Sequence, residues 1–92
     1  MATYLMFGKY SDDSIKQISA KRSEDAMAVV SKAGGELEGG YALLGDYDLV
    51  LIIDLPGMEQ AMKTSVALAK LLGISFTTSP AMTIEEFDKL VG

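Results

Sequence analysis

The stretch Leu49–Ile53 (LVLII) consists only of branched apolar residues, so a strand through it is apolar on both faces. Strands of that kind lie in the interior of a sheet that is covered on both sides. Turn-forming residues precede the run at Gly45–Asp46, and Pro56–Gly57 ends it. A chain of 92 residues is the size of one domain, so we treat residues 1–92 as a single domain built around this strand.

Four strands are predicted in total. They are Thr3–Tyr10, Glu36–Leu44, Tyr47–Leu55 and Ile74–Ser79. The second strand is weakened by charges and two glycines, and the fourth is rich in Thr and Ser and precedes Pro80. These two polar strands therefore suit the edges of the sheet.

Helices are predicted from apolar residues at helical spacing. The stripe over Ile15–Ala33 is interrupted by Arg22, so we predict a short turn followed by a main helix with Ser23 as its N-cap. Met58–Leu72 places its apolar residues on one helical face. A short C-terminal helix follows over Thr83–Val91, with its first residue as the N-cap.

The elements follow in the order β-α-β-β-α-β, which is the order of the α+β ferredoxin-like fold. Right-handed crossovers place the first strand beside the third, which gives a four-stranded antiparallel sheet with the strand order 4-1-3-2. Two helices can cover only one face of such a sheet. The other face of the sheet is left uncovered by the helices.

We assign one face of the central strand to the helices and the other to an exposed apolar surface. The helix-facing set is Leu49, Leu51, Ile53 and Leu55 with Leu5 and Phe7, and the exposed set is Tyr4, Met6, Val50 and Ile52, rimmed by Asp48 and Asp54. Exposed apolar surfaces of this kind are usually covered by a partner. A second copy packing sheet against sheet would do so, and we therefore expect a homodimer, a dimeric α+β barrel, or an oligomer built from dimers.

Composition excludes several kinds of chemistry. The absence of cysteine and histidine removes thiolate and Ser-His-Asp catalysis, iron–sulfur clusters and the usual zinc and haem ligands. A net charge of −5 without a basic cluster argues against a nucleic-acid partner. The N-terminus lacks the pattern of a signal peptide and Leu49–Ile53 is too short to span a bilayer, so we expect a cytoplasmic protein without a membrane partner.

The stretch Leu44–Val50 (LGDYDLV), followed by an acid-x-Pro at residues 54–56, is similar to the Gly-Tyr-Asp signature of the GYD-domain family. Here an aspartate separates the glycine from the tyrosine, so only Tyr47–Asp48 is contiguous. Ser14–Ser19 and Gly73–Leu90 resemble the same family, and the resemblance covers essentially the whole chain. It implies a ferredoxin-like fold of the dimeric α+β barrel kind and no established activity. The relation to cofactor-free monooxygenases is one of fold, which does not fix function.

Six residues are candidates for contact with a small ligand. They are Tyr4, Lys9, Arg22, Tyr47, Asp48 and Thr77. Lys9 and Arg22 could receive an anion, although a snorkelling side chain or an ion pair is the alternative for Arg22. Tyr47 and Thr77 could hydrogen-bond a ligand, or could serve packing and strand propensity instead.

Asp46, Asp48 and Asp54 carry the oxygen atoms that Mg²⁺ and Ca²⁺ prefer. Asp48 and Asp54 are, however, about 20 Å apart along one strand, too far to share an ion. We therefore expect no metal site, with Asp46 as a turn residue and Asp48 as a strand-end acid.

The sequence thus predicts a small oligomeric ferredoxin-like protein that binds a small organic molecule, mainly by apolar contact. The site would be the cleft between sheet and helices or the enclosed sheet face, and no cofactor is expected. Two alternatives remain open. One is a cofactor-independent enzyme of the monooxygenase or isomerase kind, in which a carboxylate or tyrosine acts as acid or base. The other is a structural or regulatory module whose role is oligomerisation itself.

Overall fold

The computed structural model describes residues 1–92 and contains four strands and four helices. The strands are β1 (Ala2–Tyr10), β2 (Glu36–Ala42), β3 (Leu49–Leu55) and β4 (Ile74–Ala81), and the helices are α1 (Asp12–Ile15), α2 (Ala20–Lys32), α3 (Met58–Leu72) and α4 (Ile84–Val91). The strands form one antiparallel sheet of order β2-β3-β1-β4. This is the order 4-1-3-2 counted from the opposite edge, so the predicted ferredoxin-like arrangement is confirmed.

The start of α2 differs from the prediction. Ser19 has an extended backbone, and its hydroxyl accepts the Arg22 backbone N–H, so Ser19 is the N-cap. The prediction that Ser23 caps the main helix is wrong, because Ser23 already lies inside α2. The earlier start places Arg22 in the first turn of the helix, where its side chain can reach back toward α1.

The core lies between one face of the sheet and the helices α2 and α3. Its buried apolar residues are Tyr4, Met6, Ala26, Val30, Ile53, Leu55, Ala61, Leu68, Leu72 and Ile74. On α3, the buried positions repeat at helical spacing, as predicted for Met58–Leu72. Gly73 ends this helix with φ +65°, a left-handed conformation that glycine adopts without a steric penalty.

The predicted faces of the sheet are correct for β3 and wrong for β1. Tyr4 pairs with Ile53 and Met6 with Leu51, and residues that pair directly across strands point to the same face. Tyr4 and Met6 are therefore buried under the helices, and the odd-numbered residues of β1 point the other way. Gly8 fits this register, because a Cβ there would lie 2.9 Å from side-chain atoms of Leu49 and Ile74.

The sheet face opposite α2 and α3 carries an apolar surface that we call the open face. Its central residues are Leu5 and Phe7 on β1, which pair with Ile52 and Val50 on β3. All four are only partly buried. The open face is the apolar surface that the sequence predicted, with Leu5 and Phe7 in the places expected for Tyr4 and Met6.

The C-terminal helix α4 is amphipathic but buries none of its residues. Thr83 caps it as predicted, since its hydroxyl accepts the Glu86 backbone N–H at 3.1 Å. Its apolar residues Ile84, Phe87 and Leu90 lie on one side at helical spacing and remain exposed. No helix in the chain is both long and apolar enough to cross a membrane.

Candidate ligand-binding site

A cleft opens between α2 and the strands β2 and β3, on the helix-covered side of the sheet. Its volume is about 320 Å³, within the range of small-molecule pockets. The inner part is formed by apolar side chains, among them buried Val30 and Ile74 and partly buried Leu49 and Leu51. A ligand in this cleft would make mostly apolar contacts.

The cleft exists because small residues face each other across it. Ser23 and Ala26 line it from α2, and Gly40 and Ala42 line it from β2. Leu51 leans over Gly40, so that a Cβ at this glycine would lie 3.1 Å from its Cδ2 atom. The larger side chains of Met27 and Tyr41 also line the cleft, but they are 50% and 65% exposed and leave the space between helix and strand open.

Arg22 lies at the mouth of the cleft and is the only arginine in the chain. Its Nη1 atom donates to the carbonyl oxygen of Ser14, and its guanidinium carbon lies 5.9 Å from the centre of the Tyr10 ring. Arg22 makes no ion pair. The three salt bridges of the structure are all formed by lysines. The acid three residues further along the helix, Asp25, pairs with Lys21 at 3.3 Å.

Of the six candidate residues, only Arg22 lines the cleft. Tyr4 is 6% exposed and belongs to the core, so its predicted place on the open face is wrong. Lys9 and Thr77 lie on the open face, since Thr77 pairs directly with Phe7 and Lys9 is two residues further along the same strand as Phe7. Tyr47 packs against Phe7 with the ring centres 5.2 Å apart. The candidates are thus divided among the core, the open face and the cleft.

Asp48 joins the end of β1 to the start of β3. Its Oδ2 atom accepts the Tyr10 backbone N–H at 2.8 Å, and its own backbone N–H donates to Gly8 at 2.8 Å. Its backbone oxygen accepts from Leu43, also at 2.8 Å. Asp48 therefore serves as a structural acid at the strand ends, and it pairs with backbone groups instead of a basic side chain.

The other end of β3 carries a pair of interacting acids. The hydroxyl of Thr3 donates to Asp54 Oδ1 at 2.7 Å, which lowers the pKa of Asp54. Glu38, at an irregularity in the pairing of β2 with β3, shares a hydrogen bond with Asp54 and is repelled by its charge, so the pKa of Glu38 is raised. No group of three or more acids is arranged to hold a metal ion.

Sequence reasoning missed most of the cleft. Ser19 and Tyr41 line it, and neither was a candidate. The small residues Ser23, Ala26 and Gly40 were a usable signal, since small side chains on both sides of a predicted helix–strand contact leave space. Tyr10 was assigned only to the first strand, although its ring lies under the Arg22 guanidinium.

Comparison with known protein families shows which family the chain belongs to. The model of the GYD domain matches residues 4–91, which is nearly the full length. The chain belongs to the GYD-domain family. This confirms the resemblance seen in the Tyr47–Asp48 motif. None of the curated proteins compared with this GYD-domain chain matches it.

Solved structures share the fold at low sequence identity. The leucine response regulatory protein of Mycobacterium tuberculosis superposes with a TM-score of 0.60 at 10% identity over 89% of this chain. An AsnC-family transcriptional regulator from Agrobacterium tumefaciens superposes with a TM-score of 0.59 at 18% identity over 89% of this chain. The match covers 51% and 50% of those chains, so the GYD-domain chain corresponds to about half of each.

Proposed function

We propose that residues 1–92 act as a single cytoplasmic domain, a small ligand-sensing regulatory module that assembles with copies of itself. The observation that carries this proposal is the cleft between α2 and β2. It is about 320 Å³ in volume, mostly apolar, and has a single charged side chain at its mouth. That combination suits recognition of a small organic molecule by burial, with one polar group fixing its orientation.

The likeness of fold supports a regulatory role. Two of the similar structures are a leucine response regulatory protein and a transcriptional regulator, and this chain corresponds to about half of each. We infer that this domain supplies the sensing half of such a function and does not itself contact nucleic acid. The net charge of −5 supports that division, because a phosphate backbone is held mainly by Lys and Arg.

Binding is better supported than catalysis. The cleft is lined by no carboxylate, and the chain has no histidine or cysteine. The acids that an enzyme of this fold would need lie elsewhere: Asp48 is engaged by the Tyr10 backbone N–H, and Asp54 by Thr3. Tyr47 packs against Phe7. General acid–base chemistry needs a titratable group within hydrogen-bond reach of the substrate, and the only such acid or base groups among the lining residues are the phenols of Tyr10 and Tyr41. With no carboxylate, histidine or cysteine beside them, we favour a binding module over an enzyme.

Self-association is supported by the surface area that one chain leaves exposed. A compact protein of this mass exposes about 5,000 Å², whereas this chain exposes 6272 Å². The excess, of the order of 1,000 Å², is comparable to the roughly 800 Å² that each partner buries in a stable interface. We propose a homodimer in which the open faces of two chains pack together and cover the partly exposed apolar residues Leu5, Phe7, Val50 and Ile52.

The helix α4 fits the same interface. A groove between Thr3 and Leu5 on the sheet side and Met82 and Glu86 on the helix side sets the first turn of α4 beside the open face. Its apolar residues Phe87 and Leu90 are 51% and 71% exposed in the single chain. We infer that α4 closes the rim of the dimer, covering apolar surface that neither sheet reaches.

The ligand-sensing role is tested by filling the cleft. Ala26 lines it from α2, and Ala26→Leu would place a branched side chain in the space a ligand needs. We expect the gently purified wild-type protein to show, by native mass spectrometry, a dimer or dimer multiple that carries a retained small molecule. Ala26→Leu should keep the assembly mass and lose the retained molecule. Ala28→Leu, on the exposed side of the same helix, is the matched control and should behave like wild type.

Retention of the molecule by Ala26→Leu would overturn the cleft as the site. A monomeric wild-type protein would overturn the dimer. If the purified protein carries nothing, a fragment screen by protein-observed NMR gives the second test, and shifts confined to residues away from α2 and β2 would reject the cleft.

A further inference from the structure

The cleft has an unusual charge arrangement for an acidic protein. The chain carries 13 acidic residues and 8 basic ones, yet the cleft is lined by no acid and by one cation, Arg22. A ligand that enters meets apolar walls and a single positive group at the mouth. That group therefore selects the charge of the ligand.

Arg22 has free capacity to bind an anion. A guanidinium carries five N–H donors in a planar fork that matches a carboxylate, and here a single bond, to the Ser14 carbonyl, is formed. Its place over the Tyr10 ring holds the side chain, and no acid in the structure pairs with it. The competing acid on the same helix, Asp25, is engaged by Lys21.

We propose that the cleft takes a monocarboxylate with an apolar body, its carboxylate bound by Arg22 at the mouth and its body buried between α2 and β2. This assignment rests on the proposed ligand-sensing function and names the ligand class for that site. One water molecule occupies about 30 Å³ in the liquid. On that scale, the cleft of about 320 Å³ holds a ligand of about ten non-hydrogen atoms. A medium-chain fatty acid or an aryl-substituted short-chain acid has this size.

The same arrangement rejects free amino acids. An amino acid brings an ammonium group beside its carboxylate, and the cleft offers no acid to pair with it. An ammonium desolvated at the mouth, close to the Arg22 guanidinium, would be repelled as well as unpaired. Selection thus follows from the absence of a carboxylate among the lining residues as much as from the presence of the arginine.

The test compares two isosteric probes on the full chain. Octanoate carries the carboxylate, octanamide is its neutral counterpart of the same length, and leucine serves as the amino-acid probe. We expect isothermal titration calorimetry to show octanoate binding about tenfold or more tighter than octanamide, the range of one charge-assisted hydrogen-bonded pair. Leucine should bind at least as weakly as octanamide. In Arg22→Gln, the ratio of octanoate to octanamide affinity should fall to about one.

A second variant covers the case in which Arg22→Gln fails to fold. Ser23→Asp adds a carboxylate beside Arg22 at the mouth, at an exposed position in the first turn of α2, where an acid also suits the helix dipole. It should abolish the preference for octanoate, so that the ratio of octanoate to octanamide affinity falls to about one or below.

The outcomes separate the two proposals. If both probes bind wild type with equal affinity in the cleft, the carboxylate assignment is overturned and the ligand-sensing function stands. If neither probe nor any fragment binds there, both fall. Tighter binding of leucine than of octanoate would also overturn the assignment, because it requires an ammonium partner that the cleft does not contain.

Discussion

Thr64 on α3 carries the single buried side-chain oxygen that has no hydrogen-bond partner. Its neighbour Ser65 behaves differently, since its hydroxyl contacts the Ala61 carbonyl at 2.8 Å and the Thr78 hydroxyl at 2.7 Å. A buried hydroxyl without a partner keeps its desolvation cost and gains nothing in return. The helix–sheet contact therefore contains one polar group that works against folding beside a pair that supports it.

We expect Thr64→Val to raise the free energy of unfolding by about 1 kcal/mol, because it removes the unpaired hydroxyl and nearly keeps the shape. Thr78→Val is the matched control and should lower it by about 1 kcal/mol, since it breaks the bond to Ser65. Urea unfolding measures the free energy of unfolding of both variants. Destabilisation by Thr64→Val would show that this hydroxyl has a partner after all.

The acids Glu38 and Asp54 give stability a pH dependence with two opposite signs. The pKa of Asp54 is lowered in the folded chain, so its contribution is present above its unfolded pKa and is lost as the pH falls through the folded value. The pKa of Glu38 is raised above its ordinary 4.5, so its contribution is present at low pH and is lost as the pH rises through the folded value.

Glu38→Gln should therefore match wild type at low pH, where Glu38 is protonated, and become the more stable chain as the pH rises past 4.5. Urea unfolding between about pH 3 and pH 7 measures this difference. Parallel stability curves for the two proteins across that range would contradict the raised pKa of Glu38.

At the scale of elements, the N-cap of α2 decides where Arg22 points. Ser19→Ala should lower the free energy of unfolding by about 1 kcal/mol, because the Arg22 backbone N–H loses its acceptor. Ser23→Ala is exposed within the helix and should change stability by less than about 0.5 kcal/mol. Thermal unfolding followed by circular dichroism compares the two. The reverse ranking would restore Ser23 as the cap.

Element order and strand order were predictable because each element carries a strong local pattern. On β3, the face of Leu49, Leu51, Ile53 and Leu55 is wholly apolar whereas the other face ends in acids, and the assignment of the apolar face to the helices is correct. On β1, both faces are apolar, with Leu5 and Phe7 against Tyr4 and Met6, so alternation cannot choose between them. The register with β3 makes that choice, and register is a property of two strands together.

The candidate site was only partly predictable for a similar reason. Arg22 was noticed because a charge interrupts an apolar stripe, which is a local signal. The cleft itself arises from the distance between α2 and β2, which depends on how helix and sheet pack. Small residues such as Ala26 and Gly40 indicate where such a gap can form, but their meaning emerges only once they face each other.

At the scale of the whole molecule, the open face is an apolar surface that no other part of the chain covers. Ile52→Lys places a charge at its centre and should convert the proposed dimer to a monomer, since a buried unpaired ammonium is strongly unfavourable. Val66→Lys, on an exposed position of α3, is the control and should leave the assembly unchanged. Sedimentation velocity measures the assembly state of both variants. A dimer that survives Ile52→Lys would move the interface away from the open face.

The position of β1 in the sheet also bears on how the protein is made. β1 is synthesised before the other strands, yet it lies in the interior of the sheet, between β3 and β4. While the chain is still growing on the ribosome, β1 has no β3 to pair with, and it then keeps one bare edge until β4 arrives. An unpaired apolar edge of that kind recruits strands from other nascent chains. The addition of β4 thus ends the period in which a newly made molecule is most exposed to aggregation.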